Sequence, residues 1–448
     1  MRGGELKMLR AKKFLWLAIT SIIVSELVSC SQGFSKDPTA VTIKKQVNLK
    51  FFSNLPDRLT GQGKLEQALL DDYIKKNPDV KITVEALQDE PYKQKFTTYA
   101  ASNQIPDVFM AWGQPSFFNP IMMNGYAVEL NKEDFKDYGF FNGALDGFSL
   151  NGKLYGLPRN TDYMVLYYNK GIFAKYNVPF PKTFEDIISA AKIFRQNNVA
   201  PIAMDGKDKY PIALLYQDLL IKESGDQRLM GEGLKGTDKF TSNPVYLKAA
   251  EALKALMDVK GFQDSFASAD YGAANSLFTQ GKAAMYYMGE WEVIMDISNE
   301  FSDEFKKNVD VMKFPTTRSG KGKDTDLVAW NGGGYAVSAS SIAIDKGIKL
   351  LKYMMKPENW AKQGWQTVGV IPAQKFDHFQ TGKESALQSK LSAILTSSTS
   401  ISGTPWNDSL TSEFKTNIEN LVQEFSKGIK SPEQFLKEAQ INAATSNR

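Results

Sequence analysis

The chain carries one cysteine, Cys30, and one histidine, His378. That excludes a disulfide framework and makes a His-rich zinc site or a Ser-His triad improbable. The residues left for chemistry are tryptophans and planar polar side chains, and several stand together. Trp112 follows "PDVFMA", with Gln114 two residues on. Trp291 follows "GKAAMYYMG", with Glu290 beside it. Trp330 and Asn331 precede a triple glycine, and Trp406 lies in "GTPWND" between Pro405 and Asn407-Asp408. An indole face stacks on the C–H face of a ring, and a planar amide, carboxylate or guanidinium pairs with hydroxyls at a ring's edge. Further polar candidates are Asn54, Asp57 and Arg58 in "SNLPDRLTGQG", Arg159, Asn160 and Asp162, and Asp270 with Tyr271 in "SADYGAAN". Each has a plainer alternative. Trp112 can cap a strand inside a core, Asn54 and Asp57 can stabilise a turn, and Asp270 can cap a helix. Trp360 and Trp365, in the helical stretch "NWAKQGWQ", read as packing residues, and Lys282 as structural.

The elements that must position these residues follow from hydrophobic periodicity. Val47, Leu49 and Phe51 alternate with polar residues and predict a strand. "KLEQALLDDYIKKNP" places Leu65, Leu69 and Tyr73 at helical spacing and stops at Asn77-Pro78. Val80, Ile82 and Val84 alternate again. Strand, helix and strand in so short a span predict a right-handed βαβ unit. A second helix and a third strand, 107–111, end at Trp112. The alternation predicts α/β layers with parallel strands. "GKLYGLPRNTDYMVLYYNKGIF" reads as another strand pair. Thr183 is the expected N-cap of a helix that buries Phe184, Ile187, Ile188, Ala191 and Phe194; Asn243 caps another that starts at Pro244 and stops by Gly261. Residues 317–326 read as a polar surface loop, and Ile418, Leu421, Val422 and Phe425 mark a late amphipathic helix. No internal repeat is present.

Arg10, Lys12 and Lys13 precede an apolar run, Phe14 to Val24, of signal-peptide length and shorter than the ~20 residues of a membrane span. "LVSC", residues 27–30, resembles the lipobox of bacterial lipoproteins, which implies an acylated Cys30 and a leader of residues 1–29. Glu26 is a costly departure within the run, and Met8 is a second possible start. Residues 30–44 read as a flexible tether. Of the formal charge of +4, five basic and two acidic residues fall in the first 29, so the rest is close to neutral. No basic excess supports nucleic acid as a partner.

"YGLPRNTDYMVLYYNKGIFAKYNVPFPKTFEDIISAAK", "LFTQGKAAMYYMGEW", "WNGGGYAVSASS" and "VGVIPA" occur in this order behind the lipobox. Together they resemble extracellular solute-binding proteins of the carbohydrate-uptake class, similar to maltose-binding protein, over about residues 45–440. The resemblance implies an α/β, two-lobed periplasmic-binding-protein type II fold with a hinge. Lobe 1 is then expected over 45–156 and 315–370, and lobe 2 over 160–312 and 371–448. It also implies a sugar ligand, an oligosaccharide by preference, held between the lobes, with aromatic contacts at the positions of Trp112, Trp291 and Trp406 and polar contacts in the loop of Asn54, Asp57 and Arg58; Trp330, Asn331 and the other polar candidates are expected to add to these. At the expected hinge, Arg159, Asn160 and Asp162 either reach the ligand or fix the interlobe angle. The implied partners are the membrane permease subunits of an ABC importer and, through the lipid on Cys30, the outer face of the cell membrane. A monomer without cofactor or catalytic residues is expected. Oxygen-only calcium binding needs no histidine and stays open. The alternatives are a secreted glycoside hydrolase, with Glu290 and Asp270 as nominal carboxyls, or a receptor for a non-sugar solute. Arg58 and Arg159 leave an acidic sugar open.

Overall fold

The computed structural model describes residues 46–447. The expected leader, Cys30 and the tether lie outside the described residues. The chain opens with strand β1 (Val47–Ser53), helix α1 (Gly61–Lys76), β2 (Val80–Ala86), α2 (Asp89–Ala101), β3 (Val108–Trp112) and α3 (Pro115–Met123). Leu65, Leu69 and Tyr73 of α1 are buried, as their spacing predicts. Strand β1 pairs in parallel with β2, Val47 opposite Val80, and with β3, Phe51 opposite Val108.

Next come β4 (Gly156–Pro158) and β5 (Thr161–Asn169), which are not a pair. They belong to different sheets, with Arg159 and Asn160 spanning the gap. After β5 follow α4 (Phe184–Gln196), β6 (Ala200–Ala203), α5 (Tyr210–Ser224), α6 (Tyr271–Thr279), β7 (Ala283–Gly289) and β8 (Val309–Met312). Thr183 caps α4 reciprocally with Asp186. The return runs through β9 (Ala329–Asn331) and β10 (Gly333–Val337), then α7 (Trp360–Val368) and α8 (Ser412–Ser426).

The first sheet has the order β2-β1-β3-β10-β4; the second has β8-β5-β7-β6, with β9 on β5. Each packs its own core. Neither sheet is wholly parallel, in contrast to the expectation. Strand β10 runs antiparallel to β3 and β4, and β5 antiparallel to β7, β8 and β9. Strands that arrive directly from the other sheet bring no crossover helix, and only a crossover makes a neighbour parallel. Along β5 the side chains alternate. Met164, Leu166 and Tyr168 enter one core, and Tyr163, Val165 and Tyr167 enter another on the opposite face.

Three crossings lie side by side. The first is 158–161. The second is 331–333, later than the expected boundary at 315. Residues 315–331 stay with the second sheet because Lys222 Nζ, buried at the end of α5, donates to Lys323 O at 3.1 Å, Asp326-Leu327 pair with Ser400-Ile401, and Trp330 packs in the second core. At the third crossing, Thr161 N donates to Ile371 O at 3.3 Å and Ala373 N to Arg159 O at 3.1 Å. Helix α7 straddles the division. Trp360 packs in the first core and Trp365 in the second lobe's, so both are packing residues as their spacing predicts.

Candidate functional site

A cleft of about 400 Å3 opens between the sheets. It lies beyond the carboxyl ends of β1, β3 and β7, where ligands of open α/β sheets bind. Its floor is the crossing region.

The first-lobe wall begins where β1 ends. Asn54 Nδ2 donates to Asp89 Oδ1 at 2.8 Å, and Asn54 Oδ1 accepts from Arg159 Nη1 at 3.0 Å. Burial pushes the Asp89 carboxyl up, against the opposing pull of Lys93 and Asn54. Asp57 lines the cleft and also builds its turn, accepting the amides of Leu59 at 2.8 Å and Thr60 at 3.3 Å. Burial opposes its charge, but the Thr60 hydroxyl and these amides outweigh it and hold the carboxyl below the usual range. Arg58 is not at the cleft. It pairs with buried Glu66 and donates to Gln67 Oε1 at 3.2 Å from Nε, because an uncompensated Glu66 inside α1 would be costly. Trp112 lines this wall with 9% of its surface exposed. Lys93 Nζ stands 4.8 Å from the Trp112 ring centroid, and Tyr92 and Phe117 meet it edge-on.

On the floor, Arg159 is 5% exposed, with Tyr335, Glu66 and Asp162 as its nearest counter-groups. Asn160 donates to Gln62 Oε1 at 2.9 Å and accepts from Trp360 Nε1 at 3.3 Å, which ties the crossing to α1 and α7. Burial pushes the Asp162 carboxyl up to about 7, while Arg159 and the Gly333 amide pull it down. Glu290, bonded to Asp162, is driven well above the ordinary value by burial and by that neighbouring carboxylate. A Cβ on Gly332 would fall 1.6 Å from a carboxylate oxygen of Asp162, so only glycine fits there.

The second-lobe wall is aromatic. A Cβ on Gly289 would sit 2.0 Å from the Trp291 ring, so the glycine lets the indole fold back over the strand end. Trp291 and Trp330 meet edge to face, with centroids 6.4 Å apart. Trp330 Nε1 and Arg159 Nε, both on lining residues, are buried without a hydrogen-bond partner. Glu292 lies among Tyr271, Asn275 and Tyr286; Asn275 Nδ2 donates to it at 3.0 Å and Tyr286 Oη at 3.3 Å. Burial raises its carboxyl to about 7 against the pull of these three hydrogen bonds.

The structure thus brings Trp112, Trp291, Trp330, Asn54, Asp57, Arg159, Asn160, Asp162 and Tyr271 to one cleft. It corrects five other expectations. Trp406 is 1% exposed in the second core, where its Nε1 donates to Ala213 O at 2.8 Å and its ring packs on Tyr216 and Phe435. The turn Trp406–Asp408 points the indole inward and gives Pro405, Asn407 and Asp408 to the cleft. Asn331 turns out of the lining and donates to Gly143 O at 3.1 Å. Asp270 caps α6 through the Ala273 amide and pairs with Lys207. Glu290 accepts the Tyr163 amide beneath the floor, and Arg58 is held by Glu66. Glu292, Asp89 and Lys93 were not singled out by sequence reasoning. The strand-end rule applied to β2 points to Asp89 and Lys93. Glu292 depends on the short 3-10 helix 290–296, which sends Glu290 down and Glu292 up. Among the described residues no group of His, Cys, Asp or Glu is arranged to hold a metal ion, and no helix is long and apolar enough to cross a membrane.

Two α/β lobes joined by three adjacent crossings, with an aromatic and polar cleft between them, define a two-lobed binding protein. The family model for bacterial extracellular solute-binding proteins matches residues 68–375, and the chain belongs to that family. The chain is 21% identical to the multiple sugar-binding protein of Streptococcus mutans, over 77% of this chain and 78% of the other. It is 24% identical to the melibiose/raffinose/stachyose-binding protein MelE of Bacillus subtilis, over 78% and 79%. A structure solved in work on xylan utilization by the thermophilic bacterium Caldanaerobius polysaccharolyticus superposes with a TM-score of 0.80 at 27% identity, covering 88% of this chain and 99% of that one.

Proposed function

We propose that the protein captures a sugar, an oligosaccharide by preference, between its lobes and delivers it to the permease of an ABC importer. The observation that carries this is the convergence of Trp112, Trp291 and Trp330 with hydrogen-bonding side chains in one cleft built by both lobes. Relatives named for multiple sugars and for melibiose, raffinose and stachyose support the same ligand class. Contacts to both lobes exist only in the closed form, so a bound sugar shifts the population toward closure by its differential affinity. The importer reads that closed shape. The lipid on Cys30 holds the protein at the outer face of the membrane, where it acts as a monomer and catalyses nothing.

A thermal-shift screen against mono- and oligosaccharides tests the reading, because a ligand bound only by the native state raises the melting point by mass action. At 100 times Kd the stabilisation is about 2.7 kcal/mol. No shift with any sugar overturns the proposal, and cleavage products in the same incubations transfer it to a hydrolase.

A further inference from the structure

Arginines near a binding cleft invite an acidic ligand, but the charges around this one are arranged against it. Three cations line the cleft, and each already faces a protein carboxylate, although Arg159 Nε has no hydrogen-bond partner. Lys93 Nζ donates to Glu90 Oε1 at 2.6 Å. Lys415 lies 3.4 Å from Asp408 and pairs with Glu419. Arg159 is buried in the floor, donating from Nη1 to Asn54 Oδ1 at 3.0 Å and to Tyr335 Oη at 3.4 Å, with the charges of Glu66 and Asp162 beside it. Arg58 does not reach the cleft.

The carboxyls are more numerous: Asp57, Asp89, Asp162, Glu292, Glu300 and Asp408 all line it. Glu292 differs from Asp57, Asp89, Asp162 and Asp408 in that no cation acts on it. Arg58 acts on Asp57, Lys93 and Arg159 on Asp89, Arg159 on Asp162 and Lys415 on Asp408. Glu292 is met instead by the uncharged donors Tyr271, Asn275 and Tyr286. A carboxylate has about four acceptor positions, so three donors leave capacity for one more. Glu292 itself lines the cleft, one residue along the chain from Trp291.

Resting on the sugar reading of the cleft, we infer that the site takes neutral or amino sugars and rejects uronates, and that Glu292 sets this preference. When ionised, Glu292 accepts a charge-assisted hydrogen bond from a ligand hydroxyl or ammonium. A ligand carboxylate instead sets a second negative charge beside it, in a cleft whose lining cations each already face a protein carboxylate.

The test is calorimetric titration of the full chain with matched sugars. The neutral members are xylotriose, maltotriose, raffinose and triacetylchitotriose. The amino member is the chitosan trimer, and the acidic members are glucuronoxylotriose and trigalacturonate. The best neutral or amino sugar is expected to bind at least about tenfold more tightly than either acid. A uronate that binds as well as or better than every other member overturns the inference and leaves the sugar reading intact. Absence of binding across the whole series overturns both. In Glu292→Gln, which keeps the shape, the gap between the best sugar and the acids should narrow at least about threefold. An unchanged gap in a variant that melts as the native protein does removes Glu292 from the account. The wild-type comparison stands whether or not the variant folds.

Discussion

The two walls of the cleft differ in how far their polar groups are already committed. On the first-lobe side, Asn54 bridges Asp89 and Arg159, Asp57 holds its own turn, and Asn160 is tied to Gln62 on the adjoining floor. On the second-lobe side, rings dominate, and Glu292 is met only by neutral donors. The first wall is therefore a preorganised scaffold. The second keeps apolar faces and acceptor capacity, which is where a ligand gains most per contact. The tryptophans repeat the contrast within one lobe, since Trp406 is sealed in a core and Trp291 is only partly buried at a strand end.

The largest expected effect separates those two rings. Trp406→Ala should cost roughly 3–5 kcal/mol of stability in a denaturant melt, as deletion of a buried aromatic does, with sugar affinity within a few-fold of native. Next, Trp291→Ala should weaken sugar binding by about 2 kcal/mol or more, some thirtyfold, and leave the melting point of the empty protein nearly unchanged. Were the two variants to exchange phenotypes, the contrast between core ring and cleft ring would collapse.

A third effect sharpens the description of Glu292. Its folded pKa of about 7 lies above the ordinary carboxyl value. The native state then holds the proton more tightly than the unfolded chain, so the contribution is full below about pH 4.5 and is lost as pH rises through about 7. Urea melts at pH 5 and pH 8 should show native protein losing roughly 1–3 kcal/mol more than Glu292→Gln over that interval. The smallest effect concerns the joint between the walls. Ser116 Oγ donates to Asp408 Oδ1 at 2.5 Å across the lobes. Ser116→Ala should raise Kd only about two- to fivefold, read by titration, through a lost contact worth about 1 kcal/mol.

Much of the architecture was legible because it rests on local patterns. The alternation of Val47, Leu49 and Phe51, the spacing of Leu65, Leu69 and Tyr73, and the Thr183 cap each specify their element directly. The cleft lining was legible where a strand end fixes direction, as at Trp112 and Trp291. The second crossing was misplaced because the docking of 317–326 on Lys222 depends on a contact about a hundred residues away, which periodicity does not encode. Trp406 was misassigned for a related reason: a turn-rich segment with flanking polar groups looks the same whether its ring faces in or out. Glu290 and Glu292 differ by two positions in one 3-10 turn, and only the backbone path decides which reaches the cleft.

The central claim is that a sugar occupies this cleft against the second-lobe rings. A crystal structure with the sugar that gives the largest thermal shift tests it most directly. The account predicts one sugar ring stacked on Trp291, a hydroxyl or amine within hydrogen-bond distance of Glu292, and contacts from both lobes. Sugar density on the outer surface, or in the cleft without contact to Trp291, would contradict it.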